Sequence, residues 1–191
     1  MLICWCFCGS FCTLERAVTQ LEKAVAAGHE VIPVGSPEFL RSDTRFGKAS
    51  DWIARIEKAC ARPMVKDIPS AEPIGPKLAP DLTVVAPCTG NTLAKLVAGI
   101  SDTPVTLAVT SHLRGGGPLL LAVASNDLLR GNFPSLSAMY GKKSVYFLPL
   151  LQDDPVKKPF SAVADFERLP EAIDAATKGV QLRPLFTCVG E

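Results

Sequence analysis

The sequence carries almost no net charge. It has 20 Lys and Arg against 19 Asp and Glu among 191 residues, which gives a formal net charge of +1. A nucleic-acid partner held by charge requires a basic stripe or patch, and the sequence has no such run. We therefore expect no nucleic-acid partner, and a composition that is 48% hydrophobic and 20% charged indicates a packed globular chain.

Long hydrophobic runs are also absent. The apolar opening MLICWCFC reaches Gly9 and Ser10 after eight residues and has no basic residues before it. That is too short for a membrane span, or for the apolar region and cleavage site of a signal peptide. We therefore expect no membrane partner, a cytoplasmic location and a buried strand over ICWCF.

The common glycine-rich nucleotide motifs are missing, and histidine is scarce. Neither GxGxxG nor GxxxxGK[ST] occurs, so a Rossmann dinucleotide site and a P-loop site both lack their signature. His29 and His112 are isolated from each other along the chain. We interpret both as structural or surface residues, and the sequence identifies no catalytic residue.

Seven cysteines are present, an odd number with no export signal, which favours a reducing compartment over a disulfide framework. Cys4, Cys6 and Cys8 alternate and would share one face of a strand. A metal site on that face would need a fourth ligand, and such sites usually draw on turns. We therefore expect no metal and interpret the three as small buried hydrophobic residues.

Apolar runs alternate with helical patterns along the whole chain, as is typical of βαβ units with helices on both faces of a parallel sheet. We expect residues 1–191 to form a single domain. Helices are predicted over 14–27, 52–60, 93–99 and 170–178, with an irregular, proline-rich crossover over 62–81. Strands are predicted over 3–7, 30–34, 82–86, 105–110, 118–124 and 144–150, with 181–186 either an edge strand or a docking tail.

Small polar residues follow three of the predicted strands. They are Gly9 and Ser10, the segment 88–92, and Ser125 with Asn126. The carboxyl ends of parallel strands meet at one edge of a sheet, and each loop precedes a predicted helix start, where free N–H groups favour a phosphate. The alternative is that these Ser, Thr and Asn residues only cap helices.

The segment APCTGNTLAKLVAGISDTPV, residues 86–105, resembles the PASANT-type segment of the flavoprotein family that contains flavin-dependent cysteine decarboxylases and flavin prenyltransferases. Thr89 stands for the Ser of that motif and Gly90 for its second Ala. The resemblance implies a flavodoxin-like or Rossmann-like three-layer α/β fold with a mainly parallel sheet, and flavin mononucleotide (FMN) as the cofactor. The cofactor-binding residues would then be Gly9, Ser10, Ser36, Pro87, Thr89, Gly90, Asn91, Thr92, Ser125 and Asn126.

An ordered set of motifs is similar to one branch of this family, the dipicolinate synthase B subunits. The motifs are CGSFCT at 8–13, DTRFG at 43–47, EPIGPKL at 72–78, APCTGNT at 86–92, ASND at 124–127 and QDDPVKKPFS at 152–161. The resemblance implies oxidation of dihydrodipicolinate to dipicolinate, with NAD or NADP bound by a partner, the A subunit of dipicolinate synthase. It also implies the mother cell of a sporulating bacterium as the location, and we expect a homo-oligomer as well.

Two other functions stay open at this stage. One is an FMN-dependent decarboxylase that acts alone, although the histidine that those enzymes place before the PASANT strand is missing from AEPIGPKLAPD at 71–81. The other is a non-catalytic binding subunit that keeps the flavoprotein fold.

A small dicarboxylate substrate needs cations. Arg45, Lys77 and Arg114 are the predicted substrate-binding residues, and the Lys157–Lys158 pair is a further candidate on a long loop. Arg45 is preferred, because a guanidinium binds a carboxylate through two parallel hydrogen bonds. The alternative for each is a solvated surface charge.

Overall fold

The computed structural model describes residues 1–152 and 154–187, and in this part of the chain eight strands form one sheet. Its parallel part contains β1 (Leu2–Phe7), β2 (Glu30–Gly35), β3 (Leu82–Cys88), β4 (Leu119–Ser125) and β5 (Val145–Phe147). These strands pair in the order β2-β1-β3-β4-β5, which is the order of the flavodoxin-like fold. The predicted flavodoxin-like fold with a mainly parallel sheet is confirmed.

Three short strands extend the sheet beyond β4. They are β6 (Leu150–Leu151), β7 (Ala162–Ala164) and β8 (Phe186–Thr187). β7 runs antiparallel to the last residues of β4 and to β6, while β8 is parallel to β6. The edge strand predicted over 181–186 therefore lies at the end of that segment, and β6 and β7 form an added hairpin beside the carboxyl end of β4.

Helices cover both faces of the sheet. Their bounds are α1 Leu14–Ala26, α2 Pro37–Arg41, α3 Ala49–Cys60, α4 Ile68–Ala71, α5 Gly90–Val97, α6 Pro104–Arg114, α7 Phe133–Tyr140 and α8 Leu169–Thr177. α1 contacts α3 and α8, whereas α6 contacts α4 and α5, and α5 contacts α7. The chain therefore has the three layers expected of this fold.

The strand predicted over 105–110 is wrong, because these residues lie in α6. Thr103 accepts a hydrogen bond from the backbone N–H of Thr106 (3.1 Å), and the Thr106 hydroxyl accepts one from the N–H of Thr103 (3.0 Å). This capping box, with Pro104 at the first helical position, starts a helix despite the β-branched residues that follow. A short apolar run has no periodicity that separates a buried strand from a buried helix.

The cysteines of β1 are part of the core. Cys4 and Cys6 are fully buried, and their Sγ atoms lie 3.9 Å apart on one face of the strand, as alternation predicts. Cys8 is buried just beyond the strand. Within residues 1–152 and 154–187, no three His, Cys, Asp or Glu side chains are grouped as metal ligands would be. A purely structural role for these cysteines stays a prediction.

None of the helices in the described ranges has the length and apolar character needed to cross a bilayer.

Candidate functional site

Two adjoining cavities open at the carboxyl edge of the parallel strands. The first cavity, of about 670 Å³, collects most of the predicted cofactor residues together with Arg45. These predicted residues are Gly9, Ser10, Thr89, Gly90, Ser125 and Asn126. The second cavity, of about 500 Å³, contains Ser36, Asn91 and Thr92. Gly9, Phe11 and Thr89 line both cavities and form their common wall.

The loop after β3 caps a helix and also lines both cavities. Thr89 caps α5, because its hydroxyl accepts the backbone N–H of Thr92 at 3.2 Å. The same hydroxyl donates to Thr92 Oγ1 at 3.1 Å, and Thr92 Oγ1 donates to Cys8 Sγ at 3.3 Å. The other first-turn N–H groups of α5 have no partner within the helix, as at any helix start, and Gly90 and Asn91 of that turn each line one of the cavities. Capping and ligand binding are therefore compatible here.

Cys8 stays protonated beneath this loop. Burial raises the pKa of its thiol to about 11, while the hydrogen bonds to Thr92 and to the backbone of Thr89 oppose that rise. A thiol in this state supports the loop by packing and by accepting the Thr92 hydroxyl. It is not a nucleophile at neutral pH.

Pro87 lies behind the cavities. Its carbonyl accepts the backbone N–H of Cys8 at 3.2 Å, and the Ala86–Pro87 peptide bond is cis. Pro87 lines neither cavity. The structure thus gives it a role in joining the ends of β1 and β3, and it does not place it with the other predicted cofactor residues.

Two glycines shape the walls. A Cβ atom at Gly90 would lie 2.6 Å from Cγ of Asn132, so a side chain there is excluded unless Asn132 moves. A Cβ at Gly9 would lie 3.2 Å from Cβ of Glu38 and 3.4 Å from the ring of Phe11. Both positions present bare backbone to the cavities, which lets a ligand approach closely.

The loop after β4 differs from its prediction. Ser125 and Asn126 line the first cavity, as expected. However, no helix begins there: residues 126–132 form turns, and α7 starts only at Phe133. The cause is local, since Asp127 donates its N–H to Ser125 Oγ (3.3 Å) and accepts the N–H of Gly131 (3.1 Å). This closes a turn in place of a helix.

The charges of the first cavity are all of one sign among its described lining residues. Arg16, Arg45 and Lys158 contribute cations, and no Asp or Glu of the described chain lines it. Arg45 stacks on Phe46, with its guanidinium carbon 4.8 Å from the ring centroid. Arg16 lies 5.2 Å from the centroid of Phe166 and 4.0 Å from Oδ1 of Asp165.

Sequence reasoning missed Arg16. It belongs to the first turns of α1, directly after the predicted Gly9–Ser10 loop, and this placement was the signal that could have found it. Lys158 and Ser161 come from the segment between β6 and β7, whose hairpin forms the far wall. Asp153, which belongs to the QDDPVKKPFS motif of that segment, lies outside the described residues.

The other two predicted substrate cations lie elsewhere. Lys77 precedes β3, and Arg114 ends α6 before β4, so both are exposed at the amino edge of the sheet. Neither lines either cavity. The structure brings Arg45 to the cofactor loops and leaves Lys77 and Arg114 at the opposite edge, because both lie in segments that lead into the next strand.

The histidines are also away from the cavities. His112 is buried near the amino edge, where its Nε2 lies 3.0 Å from the carbonyl oxygen of Pro118. Burial lowers its pKa below the ordinary 6.5, opposed by the Pro118 carbonyl and by Asp81. His29 lines a separate, smaller cavity between α1 and α8.

Comparison with known proteins gives a consistent set of matches. The model of the Flavoprotein family matches residues 9–147. The B subunit of dipicolinate synthase from Bacillus subtilis (strain 168) is 39% identical over 177 residues, which are 93% of this chain and 88% of that protein. The crystal structure of the dipicolinate synthase B subunit from Bacillus halodurans C has a TM-score of 0.89 at 36% identity, covering 97% of this chain and 95% of the other. The FMN-dependent cysteine decarboxylase SpaF is similar in fold alone, with a TM-score of 0.65 at 20% identity over 93% of this chain and 95% of its own.

Proposed function

The chain belongs to the Flavoprotein family, in the branch that contains the dipicolinate synthase B subunits, and from that premise we propose that it is the flavin-binding subunit of a dipicolinate synthase. The observation that carries the proposal is the two-part cavity, where small polar loops from three parallel strands meet a set of cations. The small polar loops suit a phosphorylated cofactor, and the cations suit an acidic substrate.

The residues fit FMN. The second cavity offers hydroxyl and amide groups from Ser36, Thr89, Asn91 and Thr92 beside the start of α5, where the helix dipole favours a phosphate. Bare backbone at Gly9 and Gly90 leaves room at the junction with the first cavity. Both cavities fall within the roughly 300 to 1,000 Å³ typical of ligand sites. Bound flavin supplies two-electron redox chemistry to such a site.

The proposed reaction is the oxidation of dihydrodipicolinate to dipicolinate. The ring loses one hydride and one proton and becomes aromatic, and NAD⁺ or NADP⁺ on the A subunit accepts the hydride. Residues of this chain bind and orient the substrate, with Arg45 pairing one carboxylate through its guanidinium fork. Assembly with the A subunit, further self-association and a place in the mother-cell cytoplasm of a sporulating bacterium belong to the same proposal.

A lone decarboxylase is the weaker candidate. Neither His29 nor His112 lines the two cavities, and residues 71–81 contain no histidine. The histidine that those enzymes place before this strand therefore has no counterpart among the residues of this chain that surround the site.

The test has two parts. The visible absorption spectrum of the purified chain should show the band of oxidised flavin after incubation with FMN, and steady-state reduction of NAD⁺ or NADP⁺ should require both this chain and the A subunit. Full activity of this chain alone would contradict the two-subunit function. Failure to bind FMN together with full activity of the complex would make this chain a binding subunit without flavin.

A further inference from the structure

The first cavity holds two arginines whose side chains stack on aromatic rings. Arg16 lies over Phe166 and Arg45 over Phe46. Within residues 1–152 and 154–187, neither guanidinium donates a hydrogen bond of 3.5 Å or shorter, and the nearest carboxylate to Arg16, that of Asp165, is 4.0 Å away. Stacking holds the plane of a guanidinium while leaving its N–H edge available to a ligand.

Several cations outside the first cavity lie closer to acids. In the second cavity Arg41 lies 3.6 Å from Glu38, and Lys95 lies 2.7 Å from Asp102. On the surface Arg55 binds Glu22 at 2.8 Å and Glu15 at 2.9 Å. The first cavity therefore differs from its neighbour in having two arginines with no carboxylate at hydrogen-bond distance among the described residues.

Like charges that line one cavity repel each other. The low-dielectric walls of the cavity strengthen the positive electrostatic potential inside it. A single small anion would neutralise only part of this charge. Arg16 comes from α1 and Arg45 from the loop before α3, so two acidic groups on one ligand could be met from two sides.

We propose that Arg16 and Arg45 together hold one small dianion in the first cavity, each binding one of its two acidic groups. Arg16 is thereby a substrate-binding residue that sets the preference for a dicarboxylate over a monocarboxylate. This inference rests on the proposed function, in which Arg45 binds one carboxylate of the substrate, and it adds Arg16 as the residue that binds the other. The other anion that the two arginines could bind is the phosphate of a flavin, and the experiment distinguishes it from a dicarboxylate.

The experiment is calorimetric titration of the full chain with pyridine-2,6-dicarboxylate, pyridine-2-carboxylate and FMN. The variants are Arg16→Gln, Arg16→Lys and Arg45→Gln, with Arg62→Gln as the matched control. Arg62 lies at the amino edge, 3.7 Å from Glu30. Thermal melting of each variant checks that the fold is intact.

The wild type should bind the dicarboxylate at least tenfold more tightly than the monocarboxylate, because the second carboxylate gains a charge-assisted hydrogen-bonded contact. Arg16→Gln and Arg45→Gln should each remove that preference, and Arg16→Lys should recover part of it. All three should leave FMN affinity within about twofold of the wild type, since the phosphate is assigned to the second cavity. Arg62→Gln should bind all three ligands as the wild type does.

An Arg16→Gln chain that keeps the wild-type preference would overturn the inference, as would one that loses FMN and retains the dicarboxylate. A wild type that binds neither pyridine acid would also overturn it. In each of these cases turnover by the complex with the A subunit can still proceed, so the proposed function is judged separately.

Discussion

The two edges of the sheet are built in opposite ways. At the amino edge polar groups are hydrogen-bonded to one another. Leu2 donates its N–H to Asp81 Oδ2 at 2.8 Å, and Nε2 of His112 lies 3.0 Å from the carbonyl oxygen of Pro118. At the carboxyl edge two cavities share the bare backbone of Gly9, and two stacked arginines line the first of them. Satisfied groups stabilise the fold, whereas groups left for a ligand do not. Substitutions should therefore separate into those that change stability and those that change binding.

The largest effect is expected from a larger side chain at Gly9, which lines both cavities. Gly9→Val places a branched side chain where even a Cβ lies 3.2 Å from Glu38 and 3.4 Å from Phe11. A steric conflict of this kind costs about 1 to 3 kcal/mol, so FMN and pyridine-2,6-dicarboxylate should each bind roughly fivefold to 150-fold more weakly in calorimetric titration. Gly141→Ala is the control, since a Cβ there meets atoms no closer than 3.8 Å. Loss of only one ligand would show that the cavities are independent sites.

The next effect concerns the start of α5. Thr89→Ala with Asn91→Ala should weaken FMN binding by about 1 to 3 kcal/mol, or roughly fivefold to 150-fold, since each lost donor contributes about 0.5 to 1.5 kcal/mol. The Thr89 cap is lost as well, so the melting temperature should fall slightly. Asp67→Ala removes the cap of α4, where Asp67 accepts the N–H of Ser70 at 2.8 Å, and serves as the control for that loss. Unchanged FMN affinity in the double variant would remove this loop from the cofactor site.

A smaller change is expected when the charge of Arg45 is kept but its fork is lost. Arg45→Lys should lower kcat/KM of the complex with the A subunit by about fivefold to tenfold, because a lysine cannot make the bidentate pair. Steady-state reduction of the nicotinamide gives the value, with Arg62→Lys as the control. If turnover is unaffected, the carboxylate contact belongs to other cations of the first cavity.

The smallest effect belongs to the amino edge and should leave binding alone. Burial holds the pKa of His112 below 6.5, so as the pH falls the unfolded chain takes up this proton first. Stability from this group is therefore present above about pH 6.5 and is lost as the pH falls through the lower, folded-state pKa. Urea unfolding at about pH 7.5 and pH 5.5 should show this loss in the wild type and less of it in His112→Gln. Equal losses in both proteins would exclude His112 as the source.

Much of the carboxyl edge could be predicted from the sequence. Alternating strand and helix patterns placed Gly9, Thr89 and Ser125 after strands, and the parallel-sheet rule brought them together. The α6 segment could not be assigned in the same way, because Val105 and Val109 suit a strand as well as a buried helix face. Its capping box, Thr103 with Thr106, was the local signal that decided the matter.

The cations were harder to predict because their positions depend on which edge each connection returns to. Arg45 lies between α2 and α3, on the connection that leaves the carboxyl end of β2, whereas Lys77 and Arg114 lie in segments that lead into the next strand. Arg16 has the pattern of an ordinary polar position on an amphipathic helix, and its place in the first turn after the Gly9–Ser10 loop was the one sequence signal that set it apart. Hairpins as short as β6 and β7 have too few residues for a periodic pattern.

The contact between Gly90 and Asn132 has a consequence for the evolution of this branch. A Cβ at position 90 would lie 2.6 Å from Cγ of Asn132, so the two positions share one small volume. The PASANT motif has alanine where this chain has Gly90. A relative with alanine at that position should therefore carry a shorter side chain, or a displaced turn, at the position of Asn132. Paired substitution at these two sites would be the trace that this packing constraint leaves in a set of aligned sequences.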